Sequence, residues 1–452
     1  PLVTFNGNYE IRPMLAKNWE ISEDGLVYTF YLREGVPFHN GDIMKAEDVK
    51  ASVERYIKVS PIRDNLGKLL KEIRIIDDYT IEMELNNPSG AFLANLATPK
   101  ALLAIMPKEV VENAEARKVD LIGTGPYKFV EWIPDRYVKI ERFEDYQPYI
   151  EEEASGFAGY KKAYIDEIYF IPVTEAGARD AGLVSGDYDF VDFIPGDSVP
   201  NLQAIDGISI VELMPYTWPV IYINHSKDSL LSNLNLRKAI QAGLDHEEIM
   251  IASSGGSGRL DPGMYFKEQV WHSDVGAELY NQNDPEKAKK LMEEAGYNNE
   301  ELVILTNSSY DYMYKAGIVL EKQLKNLGFN AKLKVFDWPG QNDYKTDMSK
   351  WELSFSSHST RFDPSDNDNY FLPETTFLAY NNPQMVEALK RGMNSTLFED
   401  RYKAYEDAQR IFYDDVPMIK LYDLGIFEGY QNYVKGYKPF YIINFVNVWL
   451  DK

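Results

Sequence analysis

Leu302-Val-Ile-Leu-Thr306, then Tyr312 to Leu327, then Ala331-Lys-Leu-Lys-Val-Phe336 follow one another in the second half of the chain. The first is an apolar run of strand length, and the last returns to alternating β-formers. The stretch between them reads as a helix stopped by Gly328. Strand, helix, strand in that order is the unit of a parallel sheet. A further helix stands before it. Asp284-Pro285-Glu286 provides an N-cap acid, a proline in the first turn and a glutamate favoured by the helix dipole. That helix is expected to run to Ala295 and stop at Gly296.

Working outward, residues 1–40 read as a meander of short strands. Val27, Thr29 and Tyr31 alternate with Tyr28, Phe30 and Leu32 after a turn at Asp24-Gly25. Ala46 to Ile57 predicts a helix with Val49, Val53 and Tyr56 on one face. Ile73 to Leu85 predicts two strands turned at Asp77-Asp78. Gly123-Thr-Gly-Pro-Tyr127 leads into the strand Lys128 to Trp132, with the glycines and Pro126 making a tight crossing. Ile168 to Val173 is expected as a buried strand, and Ala176 to Ser185 as a helix closed by Gly186. Val220 to Asn224 and Pro417 to Tyr422 are expected as the strands that cross between two lobes. Leu236 to Ala242 and Glu399 to Phe412 complete the helices, and Trp351 to Phe355 is a further strand. A chain that switches so often between the two periods is α/β or α+β.

The 452 residues are too many for one ordinary core. With 71 acidic and 47 basic residues the formal charge is −24, which opposes a nucleic-acid footprint and adsorption to anionic lipid. No apolar run is long enough to cross a bilayer. The absence of cysteine excludes disulfides, a thiolate nucleophile and a sulfur-built zinc site. The opening Pro1-Leu-Val-Thr-Phe-Asn-Gly7 looks like the middle of a strand-turn unit, so a processed amino-terminus is expected.

Seven stretches carry a resemblance. They are Leu15-Ala-Lys-Asn-Trp-Glu-Ile-Ser-Glu-Asp-Gly25 running into Tyr28 to His39, Ala46-Glu-Asp-Val49, Gly123 to Tyr127, Tyr164-Ile-Asp-Glu-Ile168, Leu236-Arg-Lys-Ala-Ile240, Asp284-Pro-Glu-Lys-Ala-Lys-Lys290 and Lys420-Leu-Tyr422. In register over more than four hundred residues, they resemble the family-5 extracellular solute-binding proteins, the oligopeptide- and dipeptide-binding class of ABC-importer receptors. The resemblance implies an α/β, two-lobe periplasmic-binding-protein-like fold (type II, cluster C) with an extra subdomain, hinged by two crossing strands. Residues 1–118 would be the extra subdomain, 119–219 with 424–452 the rest of the first lobe, and 220–423 the second. It also implies capture of a peptide or similar polar solute between the lobes by hinge closure, and delivery to a membrane permease. The expected location is extracytoplasmic, in a periplasm or as a cell-surface lipoprotein, and the expected state is a monomer without cofactor.

Ser356-Ser-His-Ser-Thr-Arg-Phe-Asp-Pro364 is the sharpest site candidate. In the family, the segment before this Asp-Pro lines the pocket, and peptide-binding members usually place an aspartate where this chain has Thr360. Asp363 is then a candidate for a solute ammonium and Arg361 for a carboxylate or phosphate. The competing reading pairs these two with each other or with solvent. His358 and Ser359 fall in the same segment. Trp338 matches a position where tryptophan stacks on ligand, against the alternative of a core tryptophan after a strand. Tyr216 and Trp218, in Met214-Pro-Tyr-Thr-Trp-Pro219, are candidates whose side chains compete with hinge packing.

The acid-rich Asp363 to Asn369 stretch lacks the glycine and terminal glutamate of an EF-hand loop, so a solvated loop is the better account. His39, His225, His246, His272 and His358 show no metal-ligand spacing. Gly255-Gly-Ser-Gly-Arg259 lacks the final glycine of a nucleophile elbow, and no Walker loop or dinucleotide fingerprint occurs. Two alternatives stand beside the peptide receptor. An oligosaccharide receptor of the same family suits Trp338 and Thr360. A glycoside hydrolase would need two carboxylates across a cleft.

Overall fold

The structure is a computed structural model that describes residues 1–60, 66–115 and 118–452, and residues 367–369 by their backbone alone. The chain divides into two compact units. The first takes residues 1–189, 393–401 and 430–452, and the second takes 190–392 and 402–429.

In the first unit, the strands Ala16–Ile21, Val27–Leu32, Thr80–Leu85 and Leu70–Asp77 form one antiparallel sheet in that spatial order. Alternation decides which face is inside. Tyr28, Phe30 and Leu32 are buried, as are Ile81, Met83 and Leu85 on the facing strand. The helix Ala46–Val59 buries Val49, Val53 and Tyr56. Its buried Asp48 accepts from the backbone N–H groups of Lys45 and Lys108, both at 2.8 Å. A second, three-stranded sheet joins Tyr127–Ile133, Tyr137–Arg142 and Glu167–Phe170. Here the expected buried strand from Ile168 to Val173 is corrected. The strand ends at Phe170, and only Ile168 of its residues is buried. Its position at the sheet edge explains this. Tyr169 lies under Lys139 (5.3 Å), and Glu167 pairs with the same lysine at 2.8 Å, so its outward side chains serve a solvated face.

The second unit is built on an eight-stranded mixed sheet. Its main path runs Phe190–Ile194, Asp423–Gln431, Ile208–Ile223, Leu353–Ser359, Glu301–Asn307, Asn330–Phe336, with Gly258–Arg259 and Met418–Lys420 joined at its side. Glu301–Asn307 and Asn330–Phe336 pair in parallel over their whole length, linked by the helix Asp311–Leu327, as the sequence predicts. Gly328 closes that helix at φ +104°, a conformation open to glycine. The end of the long strand, Val220 to Ile223, is apolar on both faces because both faces are covered. Ile221 and Ile223 meet one cluster with Ile240, Met292, Leu320 and Leu324. Val220 and Tyr222 meet another with Met385, Leu389, Tyr405 and Phe412.

Three strand boundaries differ from expectation. Val220 to Asn224 is the end of a 16-residue strand, Ile208–Ile223. Pro215 and Pro219 hide its first part from a propensity reading. Trp351 to Phe355 shifts to Leu353–Ser359, and Pro417 to Tyr422 shortens to Met418–Lys420 before a separate strand, Asp423–Gln431. The helix at Asp284 begins as expected, with the aspartate side chain accepting from Lys287 N–H at 2.9 Å. Asp284→Ala is therefore expected to cost about 1 kcal/mol, read as a lowered urea midpoint.

Candidate functional site

The candidate residues gather in the second unit, where the strands Ile208–Ile223 and Leu353–Ser359 run antiparallel with Thr217 opposite Ser359 and Trp218 opposite His358. Two hydroxyls extend this ladder. Thr217 Oγ1 donates to the His358 carbonyl at 2.7 Å, and Thr360 Oγ1 donates to the Tyr216 carbonyl at 3.2 Å. Because Ser356 to Ser359 lie within a strand, their side chains alternate. His358 is buried, Ser357 half-buried and Ser359 exposed.

On one side lies a closed aromatic stack. The His358 ring is 4.4 Å from Trp218 and stacks on Tyr370 at 4.3 Å. Its Nε2 is 3.0 Å from the Tyr222 hydroxyl, a phenol that burial holds well above its ordinary range. Arg361 donates to the Tyr370 hydroxyl at 3.2 Å. Asp363 is only 5% exposed and accepts from Ser365 N–H (3.1 Å) and Oγ (2.7 Å), capping the turn that follows. Trp218, His358, Thr360 and Asp363 therefore shape the strand end from beneath. The side chains of Asn367, Asp368 and Asn369, in the acid-rich loop, lie outside the described residues.

On the other side is an accessible wall. Trp338 begins the helix Trp338–Lys345, capped by Asp337, which accepts from Gly340 N–H at 2.9 Å. Buried Gln341 fixes that helix to the sheet. It accepts from Asn307 at 2.7 Å and donates to Ser354 Oγ at 3.0 Å and the Phe355 carbonyl at 2.8 Å. Half-buried Trp338 meets exposed Tyr310 edge-on at 5.5 Å, and Tyr310 lies 6.0 Å from Tyr312. Tyr312 donates to Ser357 Oγ at 3.0 Å. Tyr216 meets Phe193 edge-on at 5.5 Å, and burial, with Tyr310 and Asp192 nearby, raises its phenol pKa.

Of the sequence candidates, Tyr216, Trp338 and Ser359 thus belong to the wall, and Arg361 reaches toward the stack. Sequence reasoning missed Phe193, Tyr310 and Tyr312. The two tyrosines follow the carboxyl end of a parallel strand, where open α/β sheets place their ligands. That rule would have found them. Phe193 carries a positive φ of 50°, invisible in its residue type.

Chemically the wall offers ring faces and hydroxyls. Thr217, Thr360 and Ser357 bond to two carbonyls and a phenol, and among the described residues no imidazole or carboxylate bonds to them. Among the described residues, no group of three or more His, Cys, Asp or Glu is arranged to hold a metal ion. Nor is any described helix long and apolar enough to cross a membrane.

Comparison with known proteins decides the class. The profile of the bacterial extracellular solute-binding proteins, family 5, matches residues 10–378. The chain belongs to that family. Among the relatives of this family 5 protein, a glutathione-binding protein, GsiB, of Pectobacterium atrosepticum is 27% identical over 451 residues, 93% of this chain and 82% of the relative. Heme-binding protein A of Haemophilus influenzae is 26% identical, covering 100% of this chain and 86% of the relative. Among solved structures, the ABC transporter-associated periplasmic binding protein DppA of Helicobacter pylori, in complex with the peptide STSA, superposes with a TM-score of 0.79. It is 25% identical and covers 100% of this chain and 92% of that one. The fold is accordingly the mixed α/β, two-lobe fold of the family's binding proteins. The solutes these relatives are named for differ: glutathione, heme and a peptide.

Proposed function

We propose that this family 5 protein is the extracytoplasmic receptor of an ABC importer, that its solute is a small peptide, and that the solute lies against the wall of Tyr216, Tyr310, Tyr312 and Trp338. The observation that supports this most is the likeness of the whole chain to a peptide-loaded relative. The wall agrees with it. Rings bury large area while freezing few rotors, so many moderate contacts form without a grip that prevents release. The relatives this protein resembles are named for binding, which supports a receptor and not an enzyme. It works as a monomer with a membrane permease as partner, without cofactor or nucleic acid, in a periplasm or as a surface lipoprotein. Residues 1–118 serve as the extra subdomain of the first lobe, and solute capture proceeds by hinge closure.

Gentle native mass spectrometry of the purified chain, with a denatured control for departing masses, tests the reading. Expected is a co-purifying or added peptide that leaves on denaturation. A co-purifying sugar that peptides fail to displace would overturn the peptide assignment within the same receptor class.

A further inference from the structure

We propose that the buried amides of Asn307 and Gln341 are positioning residues for the solute, a directed pair that holds Trp338 and Tyr310 in the arrangement the wall presents; this rests on the solute lying against that wall, as read above. Asn307 ends the strand Glu301–Asn307 and is 0% exposed, and Gln341 lies in the helix that Trp338 begins, 1% exposed. Asn307 Nδ2 donates to Gln341 Oε1 at 2.7 Å. Beyond this bond the two amides reach outward in opposite directions. Asn307 Oδ1 accepts from the Tyr310 N–H at 3.0 Å. Gln341 Nε2 donates to Ser354 Oγ at 3.0 Å and to the Phe355 carbonyl at 2.8 Å. The ends fix the direction. A backbone N–H only donates and a carbonyl only accepts, so neither amide turns over without setting like against like. Trp338 is drawn to the same corner, its N–H donating to Ser309 Oγ at 2.9 Å.

Stability alone does not call for this pair. The same strands carry Ile304, Leu305 and Phe355 into the apolar core, and apolar side chains in place of both amides would be close to neutral. What the amides add is a single arrangement, because a satisfied buried network has one geometry while apolar surfaces slide past one another. That arrangement has its consequence at the wall. Trp338 meets Tyr310 at 5.5 Å with the ring planes 84° apart, and Tyr310 stands 6.0 Å from Tyr312. Trp338 and Tyr310 come from separate helix starts, and the amide pair ties those starts together behind the rings. A ring surface set before the solute arrives loses less affinity to ordering.

The test uses the full chain carrying 5-fluorotryptophan, as wild type, Gln341→Met and Gln409→Met. Gln409 is a buried amide of the same unit, bonded to the backbone of Met264, Ser273 and Val275, and it controls for lost stability. Melting curves show that each is folded. Fluorine NMR follows the Trp338 signal, assigned with Trp338→Phe, and native mass spectrometry reads capture from a mixed tripeptide library. Expected in Gln341→Met are a displaced or broadened Trp338 signal and a loss of capture of about tenfold. Gln409→Met should lower the melting temperature and keep both the signal and the capture. Should Gln341→Met not fold, Gln341→Glu, which keeps the acceptor for Asn307 and loses the bond to the Phe355 carbonyl, is read in its place. An unchanged Trp338 signal in the folded variant overturns the inference. Equal losses of capture in Gln409→Met overturn it too, since the effect would then be one of stability. A displaced signal with undiminished capture takes the solute off the wall, which overturns the inference and leaves the peptide reading intact. No capture of any peptide by the wild type overturns the peptide reading, and the inference falls with it.

Discussion

Replacing Lys420 by methionine is expected to lower the unfolding free energy of the second unit by about 3–5 kcal/mol, although the volume of the side chain is nearly kept. Lys420 has a side chain only 1% exposed, deep in the cluster that also holds Trp218 and Phe266. Its ammonium donates to the Gly263 carbonyl at 2.6 Å and lies 2.7 Å from Asp423 and 3.5 Å from Asp261. Arg259 completes the set, 2.7 Å from Asp423. Lys420 and Arg259 thus face the buried carboxylates of Asp261 and Asp423, with Arg259 shared by Glu268 at 2.6 Å and Asp261 also bonded by His272, and removing Lys420 leaves a buried acid short of a cation. Burial alone would raise the Asp261 carboxyl, but the His272 hydrogen bond and the Lys420 charge bring it down to about 2. The measurement is urea denaturation followed by tryptophan fluorescence. A loss below about 1 kcal/mol, the range of an exposed ion pair, would mean that water reaches this cluster.

Mild acid is expected to remove a comparable amount. His246 is 1% exposed and His225 packs against Tyr380 with Nε2 2.9 Å from the Pro417 carbonyl. Burial pushes the first imidazole down to about 3 and the second to about 4. In the unfolded chain each would titrate near 6.5. Between these values the unfolded state binds the extra proton, so stability falls as pH falls from about 6.5 toward 4 and 3. The loss from pH 7 to pH 5 is roughly 2 kcal/mol for each histidine. His272 behaves oppositely. Its hydrogen bond to Asp261 raises its pKa, so its contribution is complete below about 6.5 and fades as pH rises through the folded value. Urea midpoints at pH 7 and pH 5 check the larger effect, and His246→Gln should shallow the slope. Equal midpoints at the two pH values would show that both rings protonate without unfolding.

Local signals were the legible ones. The cap at Asp284, the stop at Gly328 and the strand-helix-strand order between Leu302 and Phe336 depend on neighbours a few residues away, and each is found as read. The seven spaced stretches disclosed the family through their order, which no single element carries. What stayed hidden depends on tertiary cover. Trp218 and Trp338 are the same residue type beside prolines, yet one is sealed between layers and the other stands at a wall. Their difference follows from which helices lie on which face of the sheet. Asp363 looked available because its partner, Ser365, is a turn contact that any serine could make or leave. Tyr310 and Tyr312 read only as the start of a helix, since their role comes from the sheet end beside which that helix begins.

The division of the chain sets an order in time. The first unit begins with residues 1–189, but it also needs 393–401 and 430–452. A ribosome adding about 5–20 residues each second makes the whole of the second unit before the last of these segments emerges. The second unit is nearly continuous, so it has its own parts in hand while the first still waits. For on the order of ten seconds or more the opening residues must persist without their final partners. A nascent chain of this design is held open by its own connectivity, and its first unit is completed only once residues 430–452 have been made.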